Sequence, residues 1–292
     1  MRKVSCQTGE KYSMFAKEIT DLAEWDDLVE HSSQGTIFST SKWLKTVHQP
    51  YHIYGCYQGS LIGGMANFDK PAPLTPFQGI LVRDSDMKYT SQLSLHNEIA
   101  TALIPYAPSN FYNHWTFPDV RPFKWAGWST DIRYTFVVDL TNLPAVWEGL
   151  EKQTRYEINH ARKTYTSWMT PDIGVFDGLY SETFKRKGLE RPIDSDFVNR
   201  VNWNCQAVIF CTCSLDAVGS MAVIIEDTKR AYYILGASGE GHTSSLTLWY
   251  AFERLAKEGV KEIDLVGCNN QEIGLFKRGF GGKLVSYYGV KK

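Results

Sequence analysis

The chain has no Cys-x-x-Cys pair and no cysteine–histidine spacing suited to zinc, although six cysteines are spread along it: Cys6, Cys56, Cys205, Cys211, Cys213 and Cys268. That excludes the common zinc frameworks and leaves free, mostly buried thiols as the expected state, with Cys211 and Cys213 facing one side of a strand-like run. The seven histidines are scattered. Pro50 interrupts the one i, i+4 pair, His48 and His52, that a helix could have offered to a metal. No metal site is expected. No run approaches the roughly 20 apolar residues that a membrane-spanning helix needs. The segment Met1–Glu10 lacks the apolar core of a secretory signal. A cytoplasmic protein without a membrane span is therefore expected. Charge of one sign is missing too, with a net charge of −1 and a pI of about 6.7. Chains that live on a nucleic-acid backbone are usually far more basic. This argues against DNA as a partner and leaves only local basic ridges to consider.

What is present is a globular balance: 43% hydrophobic and 22% charged residues over 292 positions. That length exceeds what one ordinary core serves, so two domains of roughly 130–160 residues are expected. Aromatics reach 14%, with nine Trp and sixteen Tyr. They suit ring-lined clefts for sugars or bases, and equally large cores and interfaces.

The pattern predicts a short strand at 12–20, a helix from a cap at Asp21 to Glu30, and a short helix over Lys42–Val47. A hairpin follows, Tyr51–Tyr57 and Leu61–Phe68, turning at Gln58–Ser60. Prolines 71, 73 and 76 mark a loop. Next come a weak strand at Gly79–Val82, a helix near Ser91–Ile104, and strands near Phe111 and Arg121. Then a strand Arg133–Leu140 and one long helix, about Pro144–Thr164, open a clearer second half. It continues with a strand near Trp168–Phe176, helices near Leu179–Lys187 and Ser195–Asn202, and strands Ala207–Cys213, Ser220–Glu226 and Ala231–Gly236. A helix Ser244–Glu258 stopped by Gly259, a strand Glu262–Val266, a helical turn Gln271–Phe276 and a strand Lys283–Val290 complete it. Helices ahead of a β-meander in both halves suggest duplication. Strands in runs imply a mostly antiparallel sheet flanked by helices, an α+β fold and not a doubly wound parallel sheet.

Three segments could carry chemistry. On the helix from Ala145, the residues Trp147, Leu150, Thr154, Ile158, Ala161 and Tyr165 form one buried stripe. Lys152, Arg155, Asn159 and Arg162 make a ridge about 100° round from it. Arginine forks there suit phosphate recognition; an ordinary solvated face has the same spacing. Near the C-terminal end, Gly279, Gly281 and Gly282 crowd around Phe280 after Phe276, Lys277 and Arg278. Such glycines allow close backbone approach to an anion, or a plain helix-to-strand turn. Between them, Gly236–Ser245 joins a strand to a helix whose free amides could hold an anion, though it fits neither a Walker loop nor a dinucleotide fingerprint.

The second half, about 160 residues, resembles the C-terminal domain of the FemAB-like proteins of the GNAT superfamily. The matching text is Thr135–Leu140, Arg155–Lys163, Ala231–Ser238, Leu246–Phe252, Glu262–Gly267 and the Phe-Lys-x-x-Phe-Gly ending at Phe276–Gly281. The resemblance implies two tandem GNAT-like domains, divided at 1–131 and 132–292. It also implies an N-acyltransferase that moves an acyl or aminoacyl group from acyl-CoA or aminoacyl-tRNA, as cosubstrate and not tightly bound cofactor, to a primary amine. The acceptor would be a small molecule or a glycan or peptide precursor of the cell envelope. By the same resemblance Lys277 stabilises the developing oxyanion, Asp264 helps deprotonate or orient the amine or caps the strand, and Phe276 walls the pocket. Arg155, with Asn159 and Arg162, would hold an anionic part of the substrate. Ser238, Gly239, Gly241, Ser244 and Ser245 would form the donor loop. The competing reading is a non-catalytic relative that binds a glycan, nucleotide-sugar or protein partner.

Overall fold

The computed structural model describes residues 13–215, 217–239 and 243–292. Its elements follow one another as β1 (Phe15–Glu18), α1 (Leu22–Glu30), α2 (Ser41–Val47), β2 (Tyr51–Gln58), β3 (Ser60–Phe68), β4 (Leu81–Val82), α3 (Tyr89–Leu103), β5 (Asn110–Tyr112), α4 (Arg121–Trp125) and β6 (Ser129–Asp139). Two helices, α5 (Leu143–Gly149) and α6 (Lys152–Ala161), bridge to the second series. That series is β7 (Thr166–Thr170), α7 (Ile173–Arg186), α8 (Ser195–Cys205), β8 (Val208–Cys213), β9 (Val218–Glu226), β10 (Ala231–Ser238), α9 (Ser244–Lys257), β11 (Glu262–Asp264), α10 (Gln271–Arg278) and β12 (Lys283–Lys291). The two series have the same succession, β-α-α-β-β-β-α-β-α-β. The duplication suggested by the sequence is therefore visible element by element.

The strands form a four-stranded sheet, β1-β2-β3-β4, and an eight-stranded one, β5-β12-β6-β11-β10-β9-β8-β7. Among the described residues every ladder is antiparallel except β10 with β11. The last strands of the two repeats are exchanged. β5 of the first repeat pairs with β12 of the second, and β11 of the second pairs with β6 of the first. β6 and β12 then zip together from Val137↔Lys283 to Ser129↔Lys291. The division expected at residue 131 falls inside β6.

Three apolar clusters make the core. One runs between the repeats, from Trp25, Phe38 and Trp43 to Phe197, Tyr232 and Tyr287. A second packs α6 and α9 on the large sheet through Ile158, Trp249, Phe252 and Phe280. The third holds α3 and α4 on the first repeat through Ile99, Phe111 and Phe123. The β9–β10 turn adds a polar clasp. The Lys229 ammonium donates to the carbonyls of Val29, Ser32 and Gly35 at 3.2, 2.6 and 3.2 Å. Asp227 accepts from the Ile37 N–H at 2.9 Å and from the Tyr232 hydroxyl at 2.7 Å.

Local expectations hold where capping chemistry is strong and fail where tertiary contacts decide. Asp21 caps α1 by accepting from Ala23 N–H at 2.9 Å. The segment at Arg121 is a helix and not a strand. Pro122 sits in its first turn, where a missing N–H costs nothing. The strand expected over Trp168–Phe176 ends at Thr170, because Pro171 stops the ladder and Asp172 caps α7 by accepting from Val175 N–H at 3.0 Å. The single helix expected over Pro144–Thr164 is broken: Leu150 and Glu151 are extended between α5 and α6. The stripe survives the break. Leu150, Thr154, Ile158 and Ala161 are buried, and Trp147 and Tyr165 pack against the same cluster; full burial of Leu150 and Ile158 contributes about 1.5–3 kcal/mol each.

Candidate active site

β10 and β11 are hydrogen-bonded at only two positions, Ala231↔Ile263 and Tyr232↔Asp264. Beyond Tyr232, β10 continues to Ser238 with a bulge between Tyr233 and Leu235, and no ladder joins it to β11 there. The sheet therefore opens at this point. Bulges beside such openings re-aim side chains, as they do next to many active sites.

At the end of β11 the chain turns through two left-handed residues, Val266 (φ 49°) and Gly267 (φ 67°). Glycine adopts this conformation freely, whereas a β-branched valine does so only against strain. The turn aims both carbonyls at one point. The Lys277 ammonium lies there, donating to Val266 O at 2.6 Å and Gly267 O at 2.7 Å. The helix α10 delivers it, after a start capped by Asn270, whose side chain accepts from Ile273 N–H at 3.3 Å. Lys277 is 7% exposed, and burial brings its pKa down to about 8, opposed by the charge of Asp264. Its third proton has no protein acceptor among the described residues. Tyr233 covers the site, with the ammonium 5.6 Å from its ring centre.

Asp264 is fully buried. One carboxylate oxygen accepts from the Thr135 hydroxyl at 2.5 Å and Val266 N–H at 2.8 Å; the other has no hydrogen-bond partner. Burial pushes its pKa up to about 6, against those two hydrogen bonds. The half-buried thiol of Cys268 borders the pair, its pKa raised by burial. Phe276, half-buried, packs edge-on against Phe280 with ring centres 5.3 Å apart.

The structure thus brings Lys277, Asp264 and Phe276 to one strand end. Several of the other expected residues already have protein partners. Arg155 donates to the carbonyls of Trp147 and Glu148 at 3.4 and 2.9 Å, closing the C-terminal end of α5. Arg162 pairs with Glu253 at 2.8 Å, and Asn159 is exposed. Ser238 N–H donates to Thr183 at 3.1 Å, Gly239 N–H to Gly219 O at 2.7 Å, and the buried Ser245 hydroxyl to Glu157 at 2.7 Å. Ser244 is half-buried; Gly241 lies outside the described residues. The helix that this loop opens, α9, has no side-chain cap, because the Thr243 hydroxyl donates to Ser220 at 2.8 Å instead. The crowded glycines serve contact with protein. A side chain at Gly281 would strike Gly149 O, and one at Gly279 would strike Thr154. Thr135, Tyr233 and the carbonyls of Val266 and Gly267 gave no signal of their own in the sequence. Among the described residues no group of His, Cys, Asp and Glu is placed to hold a metal, and no helix is long and apolar enough to cross a membrane.

No protein-family model matches the chain, and no curated protein matches it. Solved structures do. FemX is similar at a TM-score of 0.65 and 14% identity, over 94% of this chain and 96% of that one. L-PGS from Bacillus licheniformis is similar at 0.57 and 12%, over 98% and 94%. A tandem GNAT protein from the clavulanic acid biosynthesis pathway is similar at 0.56 and 10%, over 95% and 98%. The chain is built of two GNAT-like domains. More narrowly, its fold is the one it shares with FemX and L-PGS.

Proposed function

We propose that the protein is an N-acyltransferase that passes an acyl or aminoacyl group from an activated donor directly to a primary amine. The observation that carries this reading is the buried Lys277 ammonium, fixed by two carbonyls where β10 and β11 part. Attack of an amine on an activated carbonyl builds negative charge on its oxygen. A cation held in a low-dielectric cleft, with a proton to spare, stabilises that charge without reorganising; one such donor is worth about 3–4 kcal/mol. With its pKa near 8, Lys277 is mostly charged at neutral pH.

Asp264 acts through its neighbours. It fixes the Val266 turn and, as an anion above pH about 6, keeps Lys277 charged. Phe276 shapes the wall beside the ammonium. The uncapped N-terminus of α9 is suited to an anionic part of the donor, with Ser244 as the loop residue placed to meet it. The donor is an acyl-CoA or an aminoacyl-tRNA, and the acceptor an amino sugar or another amine-bearing envelope precursor. FemX and L-PGS, whose folds this chain shares, support this direction.

Purified protein is mixed separately with acyl-CoA and with aminoacyl-tRNA, and thermal unfolding and transfer of labelled acyl group to an amine are followed. Stabilisation by one donor, together with transfer lost in Lys277→Ala at unchanged melting temperature, supports the reading. Transfer unaffected by Lys277→Ala sinks it.

A further inference from the structure

The strand-to-helix junction that opens α9 in the second repeat has a counterpart in the first, between β4 and α3. Here the structure contains a cavity of about 140 Å³, bounded by the segment Val82–Ser85, by Gln92, Leu93 and His96 of α3, and by Pro118. It shares no residue with the Lys277 site. A cavity of roughly 150 Å³ accommodates benzene, so there is room here for a compact group of about six heavy atoms.

Its chemistry is opposite to that of an anion site. The one cationic side chain in the wall, Arg83, is already committed. It donates to Asp27 at 2.6 Å and to Leu61 O at 3.2 Å. Lys229, whose charge interacts with that of Asp84, is committed to three carbonyls. The groups left over include hydroxyls, which donate or accept, and three side chains that offer acceptors. Asp84 uses one oxygen to accept from Ser33 N–H at 3.0 Å and forms no ion pair among the described residues. Gln92 donates one of its two amide N–H groups to Ser85 O at 3.0 Å, and its oxygen accepts no hydrogen bond among the described residues. His96 is half-buried and stacks flat on Phe117, ring centres 5.0 Å apart and planes 8° from parallel, with neither ring nitrogen hydrogen-bonded among the described residues. Burial lowers its pKa, so at neutral pH it offers a lone pair and not a second charge. Val82, Leu93, Leu95 and Pro118 supply the apolar part of the wall, and Ser33, Gln34, Ser85, Tyr89 and Thr116 complete it with polar groups.

We propose that this cavity is a second ligand site that takes a small primary amine, its ammonium on Asp84 and Gln92 and its short apolar body against Val82, Leu93 and Pro118. Butylamine, 1-butanol and inorganic phosphate serve as probes, titrated calorimetrically into the full-length protein at neutral pH. Butylamine binds saturably and 1-butanol at least tenfold more weakly; Asp84→Asn weakens butylamine at least tenfold, and Lys277→Ala leaves it unchanged. Equal binding of amine and alcohol, a preference for phosphate, or indifference to Asp84→Asn overturns the proposal. If Asp84→Asn does not fold, Gln92→Leu, at a half-buried position of α3, poses the same question with the same outcomes.

Discussion

The dipeptide Phe-Lys occurs in the corresponding short helix of each repeat, and the two copies are used in opposite ways. In the first, Phe123 is fully buried and packs on Phe111 and Trp128 at 5.2 and 5.7 Å, while Lys124 is exposed. In the second, Phe276 is half-buried and Lys277 is the buried member. The neighbouring strand makes the difference. β5 presents Phe111 to its helix, so the core is completed with an aromatic ring. β11 ends in Asp264 and a left-handed turn that exposes two carbonyls, and these receive the Lys277 ammonium. A lysine position that is exposed in one repeat is a buried charged centre in the other, within the same order of elements.

The largest test of this contrast is to remove each lysine. Lys277→Ala is expected to lower kcat by about 10²–10³-fold, and Lys124→Ala by less than about twofold, measured by steady-state transfer with both proteins equally folded. Equal losses would break the comparison. Next come the glycines after each helix. Gly127 (φ 86°) has nothing within 4 Å of an added side chain, whereas Gly281 (φ 70°) faces Gly149 O. Gly127→Ala is expected to cost about 1–2 kcal/mol for its backbone alone, and Gly281→Ala more than that, read from denaturant midpoints. A smaller effect lies in pH. Lys277 titrates near 8, below its usual 10.5, so the rate falls about tenfold per unit above pH 8. Lys277→Arg, slower but permanently charged, loses that fall.

The smallest expected effect concerns stability. The folded pKa of Lys277 is depressed, so its contribution is present above about 10.5 and lost as pH falls through 8. That of Asp264 is raised from 3.8, so its contribution is lost as pH rises from about 4 through 6. Between pH 6 and 8 both buried charges are a burden. The pair Asp264→Asn with Lys277→Met should therefore melt at or a few degrees above the unaltered protein, at the expense of turnover. A marked drop in melting temperature would show that the pair holds the fold together.

Much of this was legible in the residues. The meander, the duplication and most of the elements followed from period and punctuation, with Arg121 misread as a strand, and the resemblance singled out the Phe276–Lys277 segment that is proposed as the site. Signals that depend on distant partners did not show. Nothing local announces that helix 143–161 breaks at Leu150, because Glu151 N–H goes to Gly279 O and Arg155 closes the first piece. Spacing placed Arg155 and Arg162 on one ridge, but spacing does not tell a substrate from a carbonyl or from Glu253. A β-branched residue such as Val266 reads as a strand, and only the packed structure forces it left-handed.

The exchanged strands also bear on how the chain is made. Residues 110–112 leave the ribosome with no permanent neighbour, and the residues that complete their ladder, 289–291, lie about 180 positions downstream. Throughout that interval of synthesis the first repeat carries an open β-edge, the kind of surface on which nascent chains aggregate or are caught by chaperones. Closure is late and nonlocal, and pairing across such a separation is slow. When it comes, one zipping event between β6 and β12 locks both repeats together, so the protein matures as a single unit.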